Sequence, residues 1–239
     1  MIRLPLLDTD MPDRFPDPRR ALRDPNGLLA FGGDLSPARL LAAYGQGIFP
    51  WYGEGEPVLW WSPDPRCVFR TEALRINRSL RRQLRGKAWR VSVDAAFEAV
   101  IRACAAPRAD RGGTWIVPEM IDAYVALHRL GHAHSVEVWD GARLVGGVYG
   151  VAVGQLFCGE SMFSAESGGS KLALVALAAL LRQWGWPLLD AQVANAHTLG
   201  LGAEEMPRES YLREAARLAA LPGRVGSWAA CAVPVQPGA

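Results

Sequence analysis

Hydrophobic residues are most continuous at positions 144–163, where two runs of β-branched and aromatic side chains are separated by Gly154 and Gln155. This pattern predicts two buried strands joined by a tight turn. A third apolar run, residues 186–193, predicts another buried strand, and residues 170–184 predict a helix that Gly185 ends. A hairpin, a helix and a further strand in one core indicate a mixed α/β sheet with helices packed on it.

The pattern also predicts elements on both sides of this core. Asp94 is placed to cap a helix at residues 94–104, and Asn195 opens a polar turn. The Pro- and Gly-rich tail after residue 221 is expected to run over the surface. The other predicted elements are helices at residues 75–85, 118–130 and 208–221 and strands at residues 89–93 and 135–139.

The first sixty residues are rich in Pro, Gly and Trp and show little periodicity. One short helix is predicted there, beginning at Pro37 with Ser36 as its cap. Regular helix and strand patterns start near Cys67. We therefore expect two domains, a small loop-rich unit at residues 1–65 and a larger α/β unit at residues 66–239.

Composition limits the class of protein. Half of the 239 residues are hydrophobic, which allows a sizeable core, but the longest apolar run, residues 172–181, is too short to cross a bilayer. No cationic leader with a long apolar core is present, so we expect a cytoplasmic protein without a membrane partner. The four cysteines lack Cys-x-x-Cys spacing, and His132 and His134 have no third ligand at a suggestive spacing, so no metal site is predicted.

Positive charge is concentrated in one segment although the net charge is only +2. Between residues 75 and 90 there are seven cations and no acid, a density able to displace counterions from phosphates. A solvated helix face usually mixes both signs, so this run favours contact with nucleic acid. The candidate phosphate-binding residues are Arg75, Arg78, Arg81, Arg82, Arg85 and Lys87.

Candidate chemistry lies in the predicted core strands. Glu160 interrupts one of them, where its carboxylate either points outward or finds a buried partner. Asp190 and Gln192 lie two residues apart in another strand and hence on one face. A buried carboxylate acting through an amide or water can accept the proton of an attacking amine. Alternatively, Glu160 could hold a cationic group of a substrate.

A serine hydrolase is a second possibility, because Ser161, Asp190 and His197 follow the chain order of the α/β-hydrolases. The residues around Ser161 argue against it. Gly159 precedes the serine, but the second glycine of the strained nucleophile turn is missing.

Nine segments in order resemble the bacterial leucyl/phenylalanyl-tRNA–protein transferases, among them GIFPW at residues 47–51 and FCGESMFS at residues 157–164. The others are residues 25–30, 32–41, 60–66, 113–116, 131–135, 146–150 and 190–192. The resemblance implies an acetyltransferase-like C-terminal domain and no cofactor. The implied reaction moves Leu or Phe, less often Met, from its tRNA to the α-amino group of proteins beginning with Arg or Lys. This modification marks those proteins for N-end-rule degradation.

The same resemblance implies roles for individual residues. Asp190 and Gln192 match the family's proton relay, and Glu160 matches its active-site acid. Trp51 and Trp115 match the aromatics that hold the 3′-terminal adenosine, where stacking is worth about 1–3 kcal/mol per base. The sequence departs from the family pattern at Gly168, where Asn is usual, and at Gly200, where Ser is usual. Other matching site positions are Tyr124 and the residues around the pocket for the transferred side chain, Phe157, Met162, Leu174, Leu177 and Leu189.

Two further functions remain open from the residues alone. One is a tRNA-binding module without catalysis, and the other is a ligase that passes the amino acid to a different amine. We expect a monomer whose partners are Leu-tRNA, Phe-tRNA and proteins with N-terminal Arg or Lys.

Overall fold

A computed structural model describes residues 4–74, 78–106 and 115–234, and these residues form two sheets. The smaller sheet has the strand order β1-β2-β4-β3. The α-helix α1 and a short 3-10 helix at Pro18–Arg20 accompany it. At the start of α1 the Ser36 hydroxyl accepts a hydrogen bond from the Arg39 backbone N–H, as predicted. The elements are β1 Leu6–Leu7, β2 Leu28–Gly32, α1 Pro37–Gly45, β3 Phe49–Pro50 and β4 Leu59–Trp61.

The larger sheet has seven strands in the order β11-β5-β10-β9-β8-β7-β6. β9 and β10 are parallel and the other neighbours are antiparallel, so the predicted mixed α/β class is confirmed. Its strands are β5 Arg66–Arg70, β6 Trp89–Val93, β7 Ala133–Asp140, β8 Arg143–Val153, β9 Leu156–Ser164, β10 Leu188–Gln192 and β11 Glu204–Met206. The helices are α2 Arg78–Leu84, α3 Phe97–Ala105, α4 Pro118–Arg129, α5 Gly169–Gln183, α6 Ala196–Gly200 and α7 Arg208–Ala219.

Two hydrophobic clusters cover the two faces of the larger sheet. The first joins residues of α1, α3, α4 and α7 to the sheet, and it continues into the smaller sheet through Trp60. The second contains α2 and nearly all of α5. Because one core spans both sheets, α1 is brought against the larger sheet. The domain division at residue 65 stays a prediction.

Several sequence predictions agree closely with the structure. The hairpin of β8 and β9, the strand at residues 89–93 and the helix α5 are confirmed, and Gly185 follows α5 at a φ of +77°. The first sixty residues hold more regular structure than expected, because four strands of two to five residues are too short to show periodicity.

The predicted capping role of Asp94 is wrong. Its backbone lies in the left-handed region, and its carboxylate accepts hydrogen bonds from the backbone N–H groups of Ser135 and Trp228 and faces His134 Nδ1 at 2.9 Å. Ala96 is the N-cap of α3 and offers no side-chain acceptor, and the carboxylate of Glu137, from strand β7, accepts the N–H of Ala95, one residue before that cap. A contact from another strand leaves no local signal in the sequence.

One prediction about the C-terminal part is also wrong, and another holds except at one residue. The polar turn at Asn195 is the short helix α6, and the Asn195 side chain caps it. The tail runs over the surface as predicted for most of residues 222–234, but the Trp228 side chain is only 2% exposed and stacks on the His134 ring, with 3.4 Å between ring centroids. Within the described residues, no helix combines the length and the hydropathy that a membrane span requires.

Candidate active site

Glu160 lies at an irregularity in the β8–β9 ladder. Tyr149 pairs with Ser161, but Gly150 pairs with Gly159, so Glu160 is the extra residue on β9. A bulge of this kind redirects a side chain. Here it directs Glu160 toward α1 and α4 and away from the face that carries α5.

Three donors surround the Glu160 carboxylate. Tyr44 Oη and Gln192 Nε2 donate to Oε1 at 2.8 and 2.6 Å, and Tyr124 Oη donates to Oε2 at 2.8 Å. The side chain therefore points inward rather than to solvent, as only 8% of Glu160 is exposed. Burial raises the pKa of Glu160 to about 7, although the three hydrogen bonds favour its ionised form.

Gln192 is held in an uncommon backbone conformation. Its φ is +62°, in the left-handed region, and its backbone N–H donates to Asp190 Oδ1 at 2.9 Å. The β5–β10 register shifts between Asp190 and Gln192. Left-handed backbone in a residue other than glycine is strained and often marks a functional position. Here it directs the amide onto Glu160.

Asp190 is completely buried and bound by a cation. Arg66 donates to it through Nε at 2.8 Å and Nη2 at 2.6 Å, and Tyr211 Oη donates at 2.8 Å. Burial disfavours the charge of Arg66, but Asp190 raises the pKa of the guanidinium above its ordinary value. Rings of Phe49 and Tyr211 lie 4.7 and 4.5 Å from that guanidinium. Asp190 is thus fixed in place by its partners.

β9 and β10 pair over a short distance only. Leu189 pairs with Phe157 and Asp190 with Cys158, and β9 then continues to Ser164 beyond the pairing with β10. Glu160 lies on the α1 and α4 side of this divergence. The predicted apolar pocket residues lie in or against the cluster on the α5 side, namely Phe157, Met162, Leu174, Leu177 and Leu189. The point where β9 and β10 diverge therefore has the Glu160 carboxylate on one side and the predicted apolar pocket residues on the other.

The two predicted adenosine-binding tryptophans differ in exposure. Trp51 is 42% exposed, and its ring centroid lies 5.5 Å from that of Trp61. Trp61 Nε1 donates to the Trp51 carbonyl oxygen at 2.6 Å, which fixes this corner of the smaller sheet. Trp115 is half-buried and packs against the cluster that contains Tyr124.

The described part of the predicted basic helix is α2, Arg78–Leu84, and Arg75 lies outside the described residues. Four arginines in this segment are exposed, and we call them the basic face: Arg78, Arg81, Arg82 and Arg85. Lys87 is half-buried, and its Nζ donates to Glu166 at 2.7 Å. The basic face is therefore oriented toward solvent, whereas Lys87 is turned toward the protein.

The hydrolase alternative is not supported. The buried Asp190 carboxylate binds Arg66 and Tyr211, whereas His197 lies exposed on α6. No group of three or more His, Cys, Asp or Glu suited to a metal ion occurs in the part of the chain that the structure describes.

The sequence prediction included Tyr124 and Gln192 but missed three other partners that hold the acids. Tyr44 and Tyr211 come from α1 and α7, far along the chain from the strands they contact. Arg66 belongs to one of the motifs that carry the family resemblance, but its sequence context did not indicate a partner. The available signal was that a buried carboxylate needs a donor or a cation.

Comparison with known proteins gives consistent matches. Residues 68–216 match the family model described as leucyl/phenylalanyl-tRNA protein transferase, and residues 33–64 match the model of its N-terminal domain. A leucyl/phenylalanyl-tRNA–protein transferase of Xanthomonas euvesicatoria is 62% identical over 226 residues, which cover 94% of this chain and 90% of that protein. One of Xylella fastidiosa is 58% identical over 205 residues, with coverage of 85% and 84%.

Solved structures resemble the chain only distantly. The C-terminal domain of a putative lysylphosphatidylglycerol synthetase from Agrobacterium fabrum has a TM-score of 0.43 at 12% identity, covering 74% of this chain and 65% of that one. A GCN5-related N-acetyltransferase-like protein from Streptococcus suis has a TM-score of 0.32 at 13% identity, covering 68% and 60%.

Proposed function

The chain belongs to the leucyl/phenylalanyl-tRNA–protein transferase family, and from that membership we propose that it joins Leu or Phe, less often Met, from aminoacyl-tRNA to proteins beginning with Arg or Lys. The bond formed is a peptide bond to the acceptor's α-amino group, which marks the product for N-end-rule degradation. The protein acts in the cytoplasm as a monomer and needs no cofactor.

The observation that carries this proposal is the buried Glu160 carboxylate, which Gln192 contacts beside the divergence of β9 and β10. With a pKa of about 7, Glu160 is partly ionised at neutral pH and can both accept and return a proton. An ionised carboxylate only accepts hydrogen bonds, so the Gln192 NH2 group is committed to it. The Gln192 carbonyl oxygen is then available to accept an N–H of the acceptor amine.

The reaction proceeds by attack of the neutral α-amino nitrogen on the ester carbonyl carbon of the aminoacyl-tRNA. The new C–N bond forms, the C–O bond to the ribose breaks, and the ribose oxygen leaves with a proton. The Gln192 carbonyl oxygen accepts the amine proton while its NH2 group passes a proton to Glu160. The reverse transfer delivers a proton to the leaving ribose oxygen and restores the amide. Asp190 acts as a positioning residue, because it holds the Gln192 backbone N–H while its own charge is paired with Arg66.

The donor ester is placed by contacts at its two ends. Trp51 and Trp115 stack on the terminal adenosine, and the exposed ring of Trp51 is suited to this. The transferred side chain enters the donor pocket, which we define as Phe157, Met162, Leu174, Leu177 and Leu189. A hydrophobic pocket separates similar apolar groups by only about 1–3 kcal/mol, which agrees with acceptance of both Leu and Phe.

The tRNA acceptor stem binds the basic face. Its four arginines are exposed and lie on or next to one short helix, so they can contact neighbouring phosphates. Tyr124 supports the site from the other side of the sheet by holding Glu160 through Oε2.

The test is transfer of radiolabelled Leu from Leu-tRNA to two peptides that differ only in an N-terminal Arg or Ala. We expect label in the Arg peptide alone. Label in both peptides would contradict the acceptor selectivity. Binding of charged and uncharged tRNA with no label in either peptide would favour a binding module or a ligase with another amine acceptor.

A further inference from the structure

A carboxylate joins the end of the basic segment to the loop before α5. Lys87 Nζ donates to Glu166 Oε2 at 2.7 Å, and Arg143 donates to Glu166 Oε1. Glu166 lies in residues 165–168, between β9 and α5. The Lys87 and Glu166 side chains are 30% and 26% exposed, so solvent screens their attraction less than that of a fully exposed pair.

Lys87 differs from the basic face. Its ammonium also lies over the Trp89 ring, 4.1 Å from the centroid, and is therefore held on two sides. The four arginines of the basic face are exposed, and within residues 78–106 and the other described ranges none of them forms an ion pair. A phosphate must displace Glu166 to reach Lys87, whereas it can bind these arginines directly.

The loop that carries Glu166 is itself fixed. The backbone N–H groups of Ala165 and Glu166 both donate to the Val145 carbonyl oxygen, at 3.0 and 3.1 Å. The Gly169 N–H donates to the Glu166 carbonyl oxygen at 3.0 Å, where α5 begins. The position of Glu166 is therefore coupled through these hydrogen bonds to β8 and to the start of α5.

α2 also lies close to the same loop at Gly168. Gly168 has a φ of +97°, and a Cβ there would lie 3.3 Å from Gln83 Oε1 and 3.7 Å from Leu80 Cδ1. Past Gly168, the Ser170 N–H donates to Ser164 Oγ at 2.8 Å, which ties the end of β9 to the start of α5. β9 and α5 provide four of the five residues of the donor pocket.

We propose that Glu166 is a positioning residue that fastens α2 to the β9–α5 loop and so aligns the basic face with the donor pocket. Lys87 serves this connection and does not bind phosphate. A tRNA held on the basic face then presents its 3′ end at the correct distance from Glu160 and Gln192. The inference rests on the proposed function, because the alignment matters only for a donor that spans both sites.

The first arm of the test measures tRNA binding at several salt concentrations. Loss of one phosphate contact lowers the slope of log affinity against log salt by about 0.7–0.9. We expect this decrease for Arg82→Gln and no decrease for Lys87→Gln. The matched control for Glu166→Gln is Glu209→Gln on α7, which removes the same charge from a carboxylate that also binds two cations, Arg19 and Arg213.

The second arm compares two donors, leucyl-tRNA and leucyl-adenosine, which lacks the stem. We expect Glu166→Gln and Lys87→Gln to lower kcat/KM about two- to fivefold with leucyl-tRNA only, the effect of a modest ion-pair connection. Lys87→Arg should restore the wild-type value, and Glu209→Gln should leave both donors unaffected. A purely structural defect would reduce both donors equally and would overturn the proposal.

If Glu166 instead shields cations from phosphate, the expected changes in tRNA binding are reversed. If Glu166 only shields Lys87 and Arg143 from phosphate, Glu166→Gln will tighten tRNA binding and Lys87→Gln will flatten the salt dependence, and either result overturns the proposal. If the wild-type protein labels no peptide, the proposed function fails instead. The remaining test is then the salt dependence of tRNA binding by Lys87→Gln. A slope equal to that of the wild type supports the connection between Lys87 and Glu166, and a lower slope contradicts it.

Discussion

Arg66 binds both carboxylate oxygens of Asp190, with Nε 2.8 Å from Oδ1 and Nη2 2.6 Å from Oδ2, and both side chains are buried. The pair is connected to the rest of the site, because Arg66 Nη1 also donates to the Gly47 carbonyl oxygen and Asp190 Oδ1 accepts the Gln192 N–H. The ion pair therefore links the chain at Gly47, just before β3 of the smaller sheet, to β10. β10 carries Gln192, which contacts Glu160, the proposed proton acceptor.

Replacing Asp190 with Ala leaves the Arg66 charge buried without its partner. We expect the free energy of unfolding to fall by about 3–5 kcal/mol, the usual cost of breaking a buried pair. Urea unfolding measures this loss. The exposed pair of Arg102 and Glu98 supplies the control, since Arg102→Ala should cost less than about 1 kcal/mol. A loss for Asp190→Ala as small as that of the control would show that the pair does not hold the fold together.

The same Asp190→Ala variant should affect catalysis more than tRNA binding. It releases the Gln192 backbone, whose left-handed conformation Asp190 helps to hold, while the basic face is on the other side of the sheet. We expect a lower kcat with a nearly unchanged dissociation constant for tRNA, measured below the temperature at which the variant unfolds. Equal kcat in variant and wild type would remove Asp190 from the mechanism.

Catalysis should depend on the ionisation of Glu160. Because its pKa is about 7, kcat is expected to rise with pH and to reach half its maximum near pH 7. Tyr124→Phe removes a donor to the ionised carboxylate, so the pKa of Glu160 rises and the midpoint moves to higher pH. A pH–rate profile at saturating donor and acceptor measures both values.

Tyr149 provides the matched control for that experiment. It is a buried tyrosine beside Tyr124, with 5.7 Å between ring centroids, but its hydroxyl has no hydrogen-bond partner among the described residues. Tyr149→Phe should therefore leave the midpoint close to that of the wild type. A midpoint that moves equally in both phenylalanine variants would argue against direct control of the Glu160 pKa by Tyr124.

Trp51 should contribute binding energy through its exposed ring. We expect Trp51→Ala to weaken binding of a leucyl-adenosine analogue by about 1–3 kcal/mol, the range for stacking on one base. Fluorescence titration or calorimetry measures the dissociation constant. Trp139→Ala, on β7, is the control for general loss of an aromatic side chain, because Arg90 lies over the Trp139 ring. This variant should bind the analogue as the wild type does. Unchanged affinity in Trp51→Ala would place the adenosine elsewhere.

Trp228 should stabilise the second hydrophobic cluster, the one that contains α2 and α5, although Trp228 itself lies outside the helices and strands. The Trp228 ring contacts His134, Trp184 and Trp186, and the Trp228 backbone N–H donates to Asp94. We expect Trp228→Ala to lower the free energy of unfolding by about 3–5 kcal/mol, as for other buried aromatics. Val225→Ala, on the same segment at 69% exposure, should have little effect. Equal stability of both variants in urea would show that the segment is only loosely attached.

Most of the larger sheet could be predicted from the sequence. Apolar runs interrupted by turn formers located the hairpin of β8 and β9, and the long apolar segment located α5, because these elements are buried on both sides and their composition is unambiguous. The short strands of the smaller sheet could not be predicted this way. Strands of two or three residues depend on their neighbours for hydrogen bonds, and their own sequence carries no period.

The sequence by itself determined the family, the α/β class and the identity of the acids, since Glu160 and Asp190 stand out as charges within apolar strands. Only the tertiary structure decided how each acid is used. Glu160 is surrounded by neutral donors and has a pKa of about 7, whereas Asp190 is neutralised by Arg66. The physical reason is that the field at a buried carboxylate comes from groups within a few ångströms in space, and Tyr44, Tyr124 and Arg66 are each separated from the acid they contact by more than thirty residues in the chain.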